Sequence, residues 1–427
     1  MPESPDLERR YRVLLDLSLR VSRSLDLQDV LDYLLQAMQS AIPHHAAGVF
    51  VLNRSVPLAA VPDNNLIAGM VQTGYDQPRS HDPMLRWGTG IVGHVIRTGE
   101  RVVCGDVHAD SRYVVGRAAT RSELAVPIVG PAGVIGALNV ESDLGDAFTA
   151  TDAELLEFFA SAAALTIEKA LLHREVLQKQ WMDGQLKVAR EVQAGLLPRT
   201  PPDVKGWDMA AVNLPTWTIG GDYYDFLALE DGFLAAVVAD VSGKGVPAAL
   251  IMATFRAALR MELYRRPTLL ATVAAVNQVL LESQGRSRFV TAVFGLLDTR
   301  SGVFQYVNCG HNPPLLSRAD GSHAWLDCGG PALGLGLGGG CEEGRVDLQA
   351  GDVLALYTDG VVEPADARDE EFGNDRFRHV VAETAHLTAG DVVLAVVEAT
   401  RRFTRRESYD DDFTLVVLKR DAPEAAE

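Results

Sequence analysis

The sequence of 427 residues is poor in cysteine, in net positive charge and in long apolar runs, and each shortage excludes a class of protein. Its four cysteines include no Cys-x-x-Cys pair, so neither a zinc knuckle nor a dithiol redox motif is indicated. A formal net charge of −18 argues against a nucleic-acid partner, because phosphate backbones are bound by basic surfaces. No apolar run approaches the roughly 20 residues that span a bilayer, and no secretion signal is visible. We therefore expect a cytoplasmic protein without membrane insertion.

The sequence does contain enough apolar residues, at 47%, for packed domains, and its length predicts more than one core. From Leu7 to Ala41 apolar residues recur at helical spacing and predict two helices. Short strand-like runs follow as far as Val140, separated by glycine and proline, and another helix comes after them. This order of elements predicts an α+β domain.

Residues 152–197 are dominated by straight-chain helix formers and predict a connecting helix. Leu165, Leu172 and Leu186 lie on one seven-residue row, which Lys179 interrupts. Such a helix either packs against its own domains or pairs with a second copy in a dimer. The proline-rich segment 198–202 ends it and marks a domain boundary.

Four aspartates in the second half of the chain stand where a turn meets an apolar strand. Asp222 follows two glycines, Asp240 ends the apolar run 233–239, and Asp359 follows a second such run. Asp411 comes just before the strand-like residues 413–418. Carboxylates without accompanying His or Cys pairs favour hard, oxygen-ligated cations such as Mn²⁺ or Mg²⁺. The joint pattern predicts a metal site.

The N-terminal part resembles a GAF domain over about residues 10–170. The resemblance is carried by the motifs Gly88–Val95, Gly105–Tyr113, Glu123–Ile128 and Gly136–Ser142. GAF domains are sensory modules that often dimerise. The resemblance therefore implies a regulatory input and a homodimer, with a small ligand or signal of unknown identity.

Residues 198–421 resemble the SpoIIE/RsbU-type branch of the PPM (protein phosphatase type 2C-like) serine/threonine phosphatases. The order of the family's motifs is intact along this segment. The motifs, the first of which begins just before this segment, are Gln193–Pro198, Gly220–Asp225, Asp240–Gly245 with Pro247–Leu250, Phe289–Gly295, Asn308–Pro314, Gly330–Gly334, Tyr357–Gly360 and Asp411–Thr414. The resemblance implies an αββα sandwich of two antiparallel sheets flanked by helices, joined to the sensory domain by a signalling helix at residues 171–197.

The same resemblance implies two Mn²⁺ or Mg²⁺ ions at one edge of the sandwich. Asp240 would bridge both ions, with help from the backbone carbonyl of Val241, and Asp222 would serve the site through its carboxylate. Asp359 and Asp411 would hold the first ion. Asp222 and Asp240 are thus the expected catalytic residues.

Four neighbouring side chains have two interpretations each. Asp412 is an alternative to Asp411 as a metal ligand. The family pattern prefers Asp411, because Asp411 stands two residues before the apolar Phe413. Asp225 would hydrogen-bond metal-bound water or the turn. Lys244 would attract phosphate or cap exposed carbonyls of its turn, and His311 would protonate the leaving group or hold its loop in place.

These expectations combine into a metal-dependent serine/threonine protein phosphatase that is regulated by a GAF domain. Two ions close together activate a water for attack on a phosphoester. The resemblance implies a phosphorylated anti-sigma-factor antagonist of the STAS type as the substrate. A phosphatase of another signalling phosphoprotein, and a non-catalytic ligand-binding scaffold with a phosphatase fold, are the alternatives.

Overall fold

The computed structural model describes residues 26–52, 67–75, 89–216, 219–265, 268–283, 288–336, 340–406 and 411–421. The chain forms two compact units, Met1–Trp181 and Met182–Glu427. The first of the two helices expected before Ala41, and Gly88 of the GAF motifs, lie outside the described residues.

The first unit is an antiparallel sheet with helices on both faces. Asp26 caps its first described helix by accepting the backbone N–H groups of Gln28 and Asp29. The sheet order is β2-β1-β5-β4-β3. The elements are α1 (Leu27–Ala41), β1 (Ala46–Leu52), β2 (Ile67–Thr73), α2 (Gly90–Thr98), β3 (Val102–Cys104), β4 (Ser122–Gly130), β5 (Gly133–Ser142) and the start of α3 (Ala150–Ala194).

Each face of this sheet has its own apolar core. Leu31 of α1, Leu138 of β5 and Phe159 of α3 belong to one cluster. Val95 of α2 and Ala125 of β4 belong to a second cluster on the other face. The strands are therefore apolar on both sides, and the unit is the α+β domain that the order of elements predicts.

Helix α3 has 45 residues and changes character along its length. Its first part is buried through residues such as Leu156 and Ile167. After residue 171 it is largely exposed, and several large apolar side chains there face solvent: Leu172, Val176, Trp181, Val188 and Val192. Among the described residues, no helix combines the length and the apolar character needed to cross a bilayer.

The second unit consists of two sheets and four longer helices. Its helices are α4 (Val246–Arg265), α5 (Leu269–Ser283), α6 (Gly373–Thr384) and α7 (Ala389–Thr404). Its strands are β6 (Trp207–Leu214), β7 (Tyr223–Ala228), β8 (Phe233–Val241), β9 (Val290–Asp298), β10 (Val303–Cys309), β11 (Leu315–Ser317), β12 (His323–Trp325), β13 (Gly329–Gly330), β14 (Gly344–Asp347), β15 (Val353–Tyr357) and β16 (Phe413–Arg420).

These elements stack in four layers. One sheet has the order β13-β10-β9-β8-β7, with β14 also paired to β10, and the other has the order β12-β11-β15-β16-β6. Val238 of the first sheet and Leu356 of the second share the central core. The outer faces pack against α4 and α5 on one side, through Phe255, and against α6 and α7 on the other, through Phe377. The expected αββα sandwich is confirmed.

Candidate metal centre

The predicted acidic residues gather at one end of the sandwich because of strand pairing. Tyr223 of β7 pairs with Ala239 of β8, which places the adjoining Asp222 and Asp240 at the same end of one sheet. Tyr357 of β15 pairs with Leu415 of β16. The segments just beyond that pair, which carry Asp359 and Asp411, therefore lie at one end of the other sheet.

Asp222 links the two sheets at this end. Its Oδ2 accepts hydrogen bonds from the hydroxyl of Thr358, at 2.8 Å, and from that of Thr414, at 2.5 Å. The residue is only 3% exposed, and its other oxygen, Oδ1, is buried without a hydrogen-bond partner. A buried acceptor without a donor is costly, so Oδ1 is a candidate ligand for a cation.

Asp412 holds the turn that carries Asp222. Its two carboxylate oxygens accept the backbone N–H of Thr216, at 2.8 Å, and that of Gly221, at 2.7 Å. Only glycine fits at position 221, because a Cβ there would lie 2.9 Å from the carbonyl oxygen of Val241. The Val241 carbonyl and the Asp222 turn therefore approach each other closely.

Like charge and burial raise the pKa values of the clustered acids. The pKa of Asp222 is raised well above its usual range, first by burial and then by the charge of Asp240. Burial, followed by the charges of Asp359 and Asp411, raises the pKa of Asp240 to about 7. The pKa of Asp359 is raised by burial and by Asp411. These carboxylates repel one another at neutral pH.

Lys244 supplies positive charge at the exposed side of the cluster. Its Nζ lies 3.0 Å from Oδ2 of Asp411, and the side chains of both residues are close to half exposed. This hydrogen bond raises the pKa of Lys244. An exposed pair of this kind contributes little to stability and exchanges readily with other partners.

The chemistry of this donor set fits a divalent cation. Within the described residues, no three Asp, Glu, His or Cys side chains already converge closely enough to hold one ion. The cluster is nevertheless a buried, oxygen-rich and negatively charged site. Oδ1 of Asp222 has no partner there, and Asp222, Asp240 and Asp359 repel one another. Hard cations that prefer oxygen ligands, such as Mn²⁺ and Mg²⁺, suit it.

Asp225, expected to bond water or the turn, has different partners. It is fully buried and accepts two hydrogen bonds from Arg260, at 2.7 Å from Nε and 3.0 Å from Nη2, and one from the hydroxyl of Tyr223. Residue 225 therefore forms a buried ion pair inside the domain, and the expectation for it is corrected.

His311 is fixed in its neutral form. Its Nε2 donates to the carbonyl oxygen of Tyr357 at 3.0 Å, because a carbonyl can only accept, and its Nδ1 therefore accepts the hydroxyl of Thr291 at 2.8 Å. Burial lowers the pKa of His311 to about 4. With both ring nitrogens engaged, this histidine holds its loop in place, which is one of its two sequence interpretations.

Sequence reasoning missed the hydrogen-bond donors around the acids. Thr358 and Thr414, which bond Asp222, stand beside the predicted aspartates in two of the motifs. Gln193, near the end of α3, makes a reciprocal pair with Gly220: its Nε2 donates to the glycine carbonyl at 2.7 Å, and its Oε1 accepts the glycine N–H at 3.2 Å. Gln193 begins one of the family motifs, but its partner stands 27 positions away and cannot be read from the local pattern.

Comparison with known proteins agrees with the fold. The family model for Stage II sporulation protein E (SpoIIE) matches residues 230–421, and the GAF domain model matches residues 24–168. The chain therefore has a GAF domain followed by a PPM-type phosphatase domain. This second domain is of the SpoIIE type.

Two curated relatives and one solved structure are similar to parts of this chain. The chain is 29% identical over 243 residues to protein IcfG of Synechocystis sp. (strain ATCC 27184 / PCC 6803 / Kazusa), a match that covers 50% of this chain and 38% of IcfG. It is 28% identical over 247 residues to the phosphoserine phosphatase RsbU of Bacillus subtilis (strain 168), covering 57% of this chain and 72% of RsbU. The PP2C domain of SiaA from Pseudomonas aeruginosa shares the fold, with a TM-score of 0.52, 22% identity, and coverage of 57% of this chain and 99% of that domain.

Proposed function

We propose that this protein is a metal-dependent phosphatase that removes phosphate from serine or threonine of a regulatory protein. The observation that carries the proposal is the buried acidic cluster at the sandwich edge, with one carboxylate oxygen unpartnered and the pKa of Asp240 raised to about 7. The names of RsbU and of RsbP, a second Bacillus subtilis phosphoserine phosphatase 24% identical over 190 residues, support the same chemistry.

The proposed ligands are the carboxylates of Asp222, Asp240, Asp359 and Asp411 and the carbonyl of Val241. Two Mn²⁺ or Mg²⁺ ions bound there would activate a water and neutralise charge on the phosphoryl oxygens. Asp411 is preferred to its neighbour at position 412, because both oxygens of the latter accept backbone N–H groups. Asp411 accepts one backbone N–H through Oδ1, and its Oδ2 pairs with the half-exposed Lys244.

The surrounding residues position these ligands. Thr358 and Thr414 fix the orientation of the Asp222 carboxylate and leave Oδ1 free to face a cation. Asp412 and the loop of His311 hold the turns from which the ligands project. Such preorganisation places charge before the reaction begins, which is where most of the catalysis of phosphoryl transfer arises.

Hydrolysis of p-nitrophenyl phosphate by the full chain, with and without Mn²⁺, tests this proposal. We expect Mn²⁺-dependent turnover that Asp240→Asn abolishes. The matched control is Asp298→Asn, in the turn between β9 and β10, where the aspartate accepts only local hydrogen bonds. Absence of metal-dependent turnover in the unmodified chain would favour the non-catalytic scaffold.

For the substrate we propose a phosphorylated anti-sigma-factor antagonist of the STAS type. A full-length Asp240→Asn chain, which lacks turnover, should retain a phosphorylated STAS protein and release its unphosphorylated form. Retention of an unrelated phosphoprotein, with no preference for the STAS protein, would support the alternative signalling substrate.

We also propose a cytoplasmic homodimer in which the GAF domain, on binding a small ligand, controls the phosphatase domain through α3. The exposed apolar side chains of α3 support the dimer, since Leu172 is 57% and Trp181 68% exposed in the single chain. Sedimentation should show a dimer that Leu172→Glu disrupts and Gln178→Glu, on the same exposed part of the helix, leaves intact. A monomeric unmodified chain would contradict this part of the proposal.

A further inference from the structure

Arg288 lies on the segment that runs alongside the turn after Asp240, and its Nη1 is buried without a hydrogen-bond partner among the described residues. In the described part of the chain, four buried side-chain polar atoms lack a hydrogen-bond partner. One belongs to the first unit. The other three are Oγ1 of Thr216, Oδ1 of Asp222 and Nη1 of Arg288, and they belong to residues on segments that meet at the sandwich edge.

Strand pairing brings Arg288 to the same edge as the proposed ligands. Asp240 pairs with Thr291 and Val241 with Val290, so the residues just before β9 run alongside the turn that follows β8. Two hydrogen bonds continue this pairing: the N–H of Ser242 donates to the carbonyl of Phe289 at 2.9 Å, and the N–H of Phe289 donates to Oγ of Ser242 at 2.8 Å.

The guanidinium of Arg288 packs over the turn that leads to Lys244. A Cβ on Gly243 would lie 3.0 Å from Nη1 and 3.6 Å from Cζ of Arg288. Gly243 also has a φ of +95°, which side chains rarely adopt, so the turn is shaped for close approach of the guanidinium. The next residue, Lys244, reaches Asp411. Arg288 thus stands one residue along the turn from a group in contact with a proposed metal ligand.

The acidic side chains at this edge outnumber the basic ones, so a positively charged side chain in addition to Lys244 has a role there. The cluster contains five aspartates, and its lysine is already paired with Asp411. Within the described residues, Arg288 forms neither a salt bridge nor a side-chain hydrogen bond, and its Nη1 is buried. A phosphoserine carries close to two negative charges at neutral pH and three acceptor oxygens. The guanidinium fork suits such an anion better than an ammonium does.

We infer that Arg288 forms a phosphate-binding subsite that receives the phosphoryl group of the substrate beside the metal-binding aspartates. The inference rests on the proposed phosphatase function. In the subsite, Nη1 of Arg288 donates to a phosphoryl oxygen, and Lys244 supports it by exchanging its exposed carboxylate partner for the same anion.

Kinetics of Arg288 variants in the full chain test the subsite. With Mn²⁺ and a phosphoserine peptide, Arg288→Gln should raise KM, and the inhibition constant of inorganic phosphate, by about ten- to a hundredfold. Arg288→Lys, which keeps the charge but not the fork, should lie between. The activation constant for Mn²⁺ should stay within about twofold. The matched control is Arg300→Gln, whose side chain is 73% exposed in the β9–β10 turn.

A second measurement does not depend on turnover. Inorganic phosphate, added with Mn²⁺, should raise the melting temperature of the unmodified chain and of Arg300→Gln, but not that of Arg288→Gln. An unmodified chain without metal-dependent hydrolysis would overturn the proposed function, while the phosphate-dependent melting shift would still decide the role of Arg288. Phosphate inhibition and stabilisation that survive unchanged in both Arg288 variants would overturn the subsite and leave the proposed function standing.

Discussion

The two units of this protein each bury a group of acids on a sheet, but they treat those acids differently. In the first unit Glu141 accepts the hydroxyls of Tyr75, at 2.5 Å, and Thr120, at 2.6 Å, and Asn139 donates to Glu123 at 3.0 Å. In the second unit Asp222 has donors on one oxygen only, and its neighbours are other aspartates.

The difference separates acids that support a fold from acids that await a ligand. Neutral donors satisfy the buried Glu141 and Glu123 without a cation, so these two acids are part of the packing of the GAF domain. Repulsion among aspartates is relieved by protonation or by a cation, and at pH 8 the proposed metal ions would relieve it in the phosphatase cluster. Substitution of Glu141 should therefore destabilise the first unit, and substitution of Asp240 should stabilise the second unit in the absence of metal.

The largest effect is expected for Glu141→Leu in the GAF domain. This change leaves the hydroxyls of Tyr75 and Thr120 without their acceptor and should lower the free energy of unfolding of that unit by about 3 kcal/mol. Denaturant unfolding of the full chain, followed by far-UV circular dichroism, measures it. Glu141→Gln keeps an acceptor and should cost less than half as much. A neutral Glu141→Leu would show that the hydroxyls find other partners.

A pH titration sharpens the comparison within the phosphatase domain, because His311 is a satisfied buried group close to the unsatisfied acids. Its pKa of about 4 in the fold lies below the 6.5 of an unfolded histidine. The neutral ring therefore stabilises the fold fully above pH 6.5, and this contribution is lost as the pH falls toward 4. At pH 5 the loss is about 2 kcal/mol.

His311→Gln removes this dependence. The variant should be less stable than the unmodified chain at pH 8, and the gap should shrink by about 2 kcal/mol at pH 5. Denaturant unfolding at the two pH values measures both differences, and exposed His379→Gln serves as the control. A gap that is the same at both pH values would mean that the ring is not held neutral.

Asp240→Asn should show the opposite sign from Glu141→Leu. Without metal at pH 8 it removes one charge from the cluster, where burial and like charge raise the pKa of Asp240 to about 7. The phosphatase domain should therefore become more stable by at least about 1.4 kcal/mol, which corresponds to one pKa unit. Mn²⁺ should then stabilise the unmodified chain and not the variant. Thermal melting with and without Mn²⁺ gives both numbers. A loss of metal-free stability would place Asp240 among the satisfied acids.

The sequence predicted the parts of this site that depend on local pattern. Asp240 and Asp359 follow apolar strands, and such placement is readable because a buried strand has a recognisable composition. The four-layer fold came from the family resemblance. Contacts across long separations were not readable: Thr414 meets Asp222 across 192 positions, and Arg260 meets Asp225 from another element across 35.

Arg288 shows the same limit from another direction. It stands next to the motif that begins at Phe289, yet nothing in its local sequence distinguishes it from an ordinary surface arginine. Its position follows from the register between β8 and β9 and from the space above Gly243, which are tertiary properties. The bond from Asn139 to Glu123 in the GAF domain escaped prediction for the same reason, since it depends on the pairing of β4 and β5.

The smallest effect is expected for the clamp between α3 and the Asp222 turn, by which we mean the pair of hydrogen bonds between Gln193 and Gly220. Gln193 makes both an accepted and a donated hydrogen bond with Gly220, two residues before Asp222. Gln193→Met keeps the length of the side chain and removes both bonds. We expect kcat to fall a few-fold, corresponding to about 1 kcal/mol, because the Asp222 turn loses one of its anchors. Stability should change by about as little, and Gln278→Met, on the exposed face of α5, should change neither.

If the clamp also carries the signal from α3, the variant should respond less to a GAF ligand than the unmodified chain does. Steady-state kinetics with a phosphoserine peptide measures kcat, and an unchanged value would show that Asp412 and the two threonines hold the Asp222 turn without help from the helix.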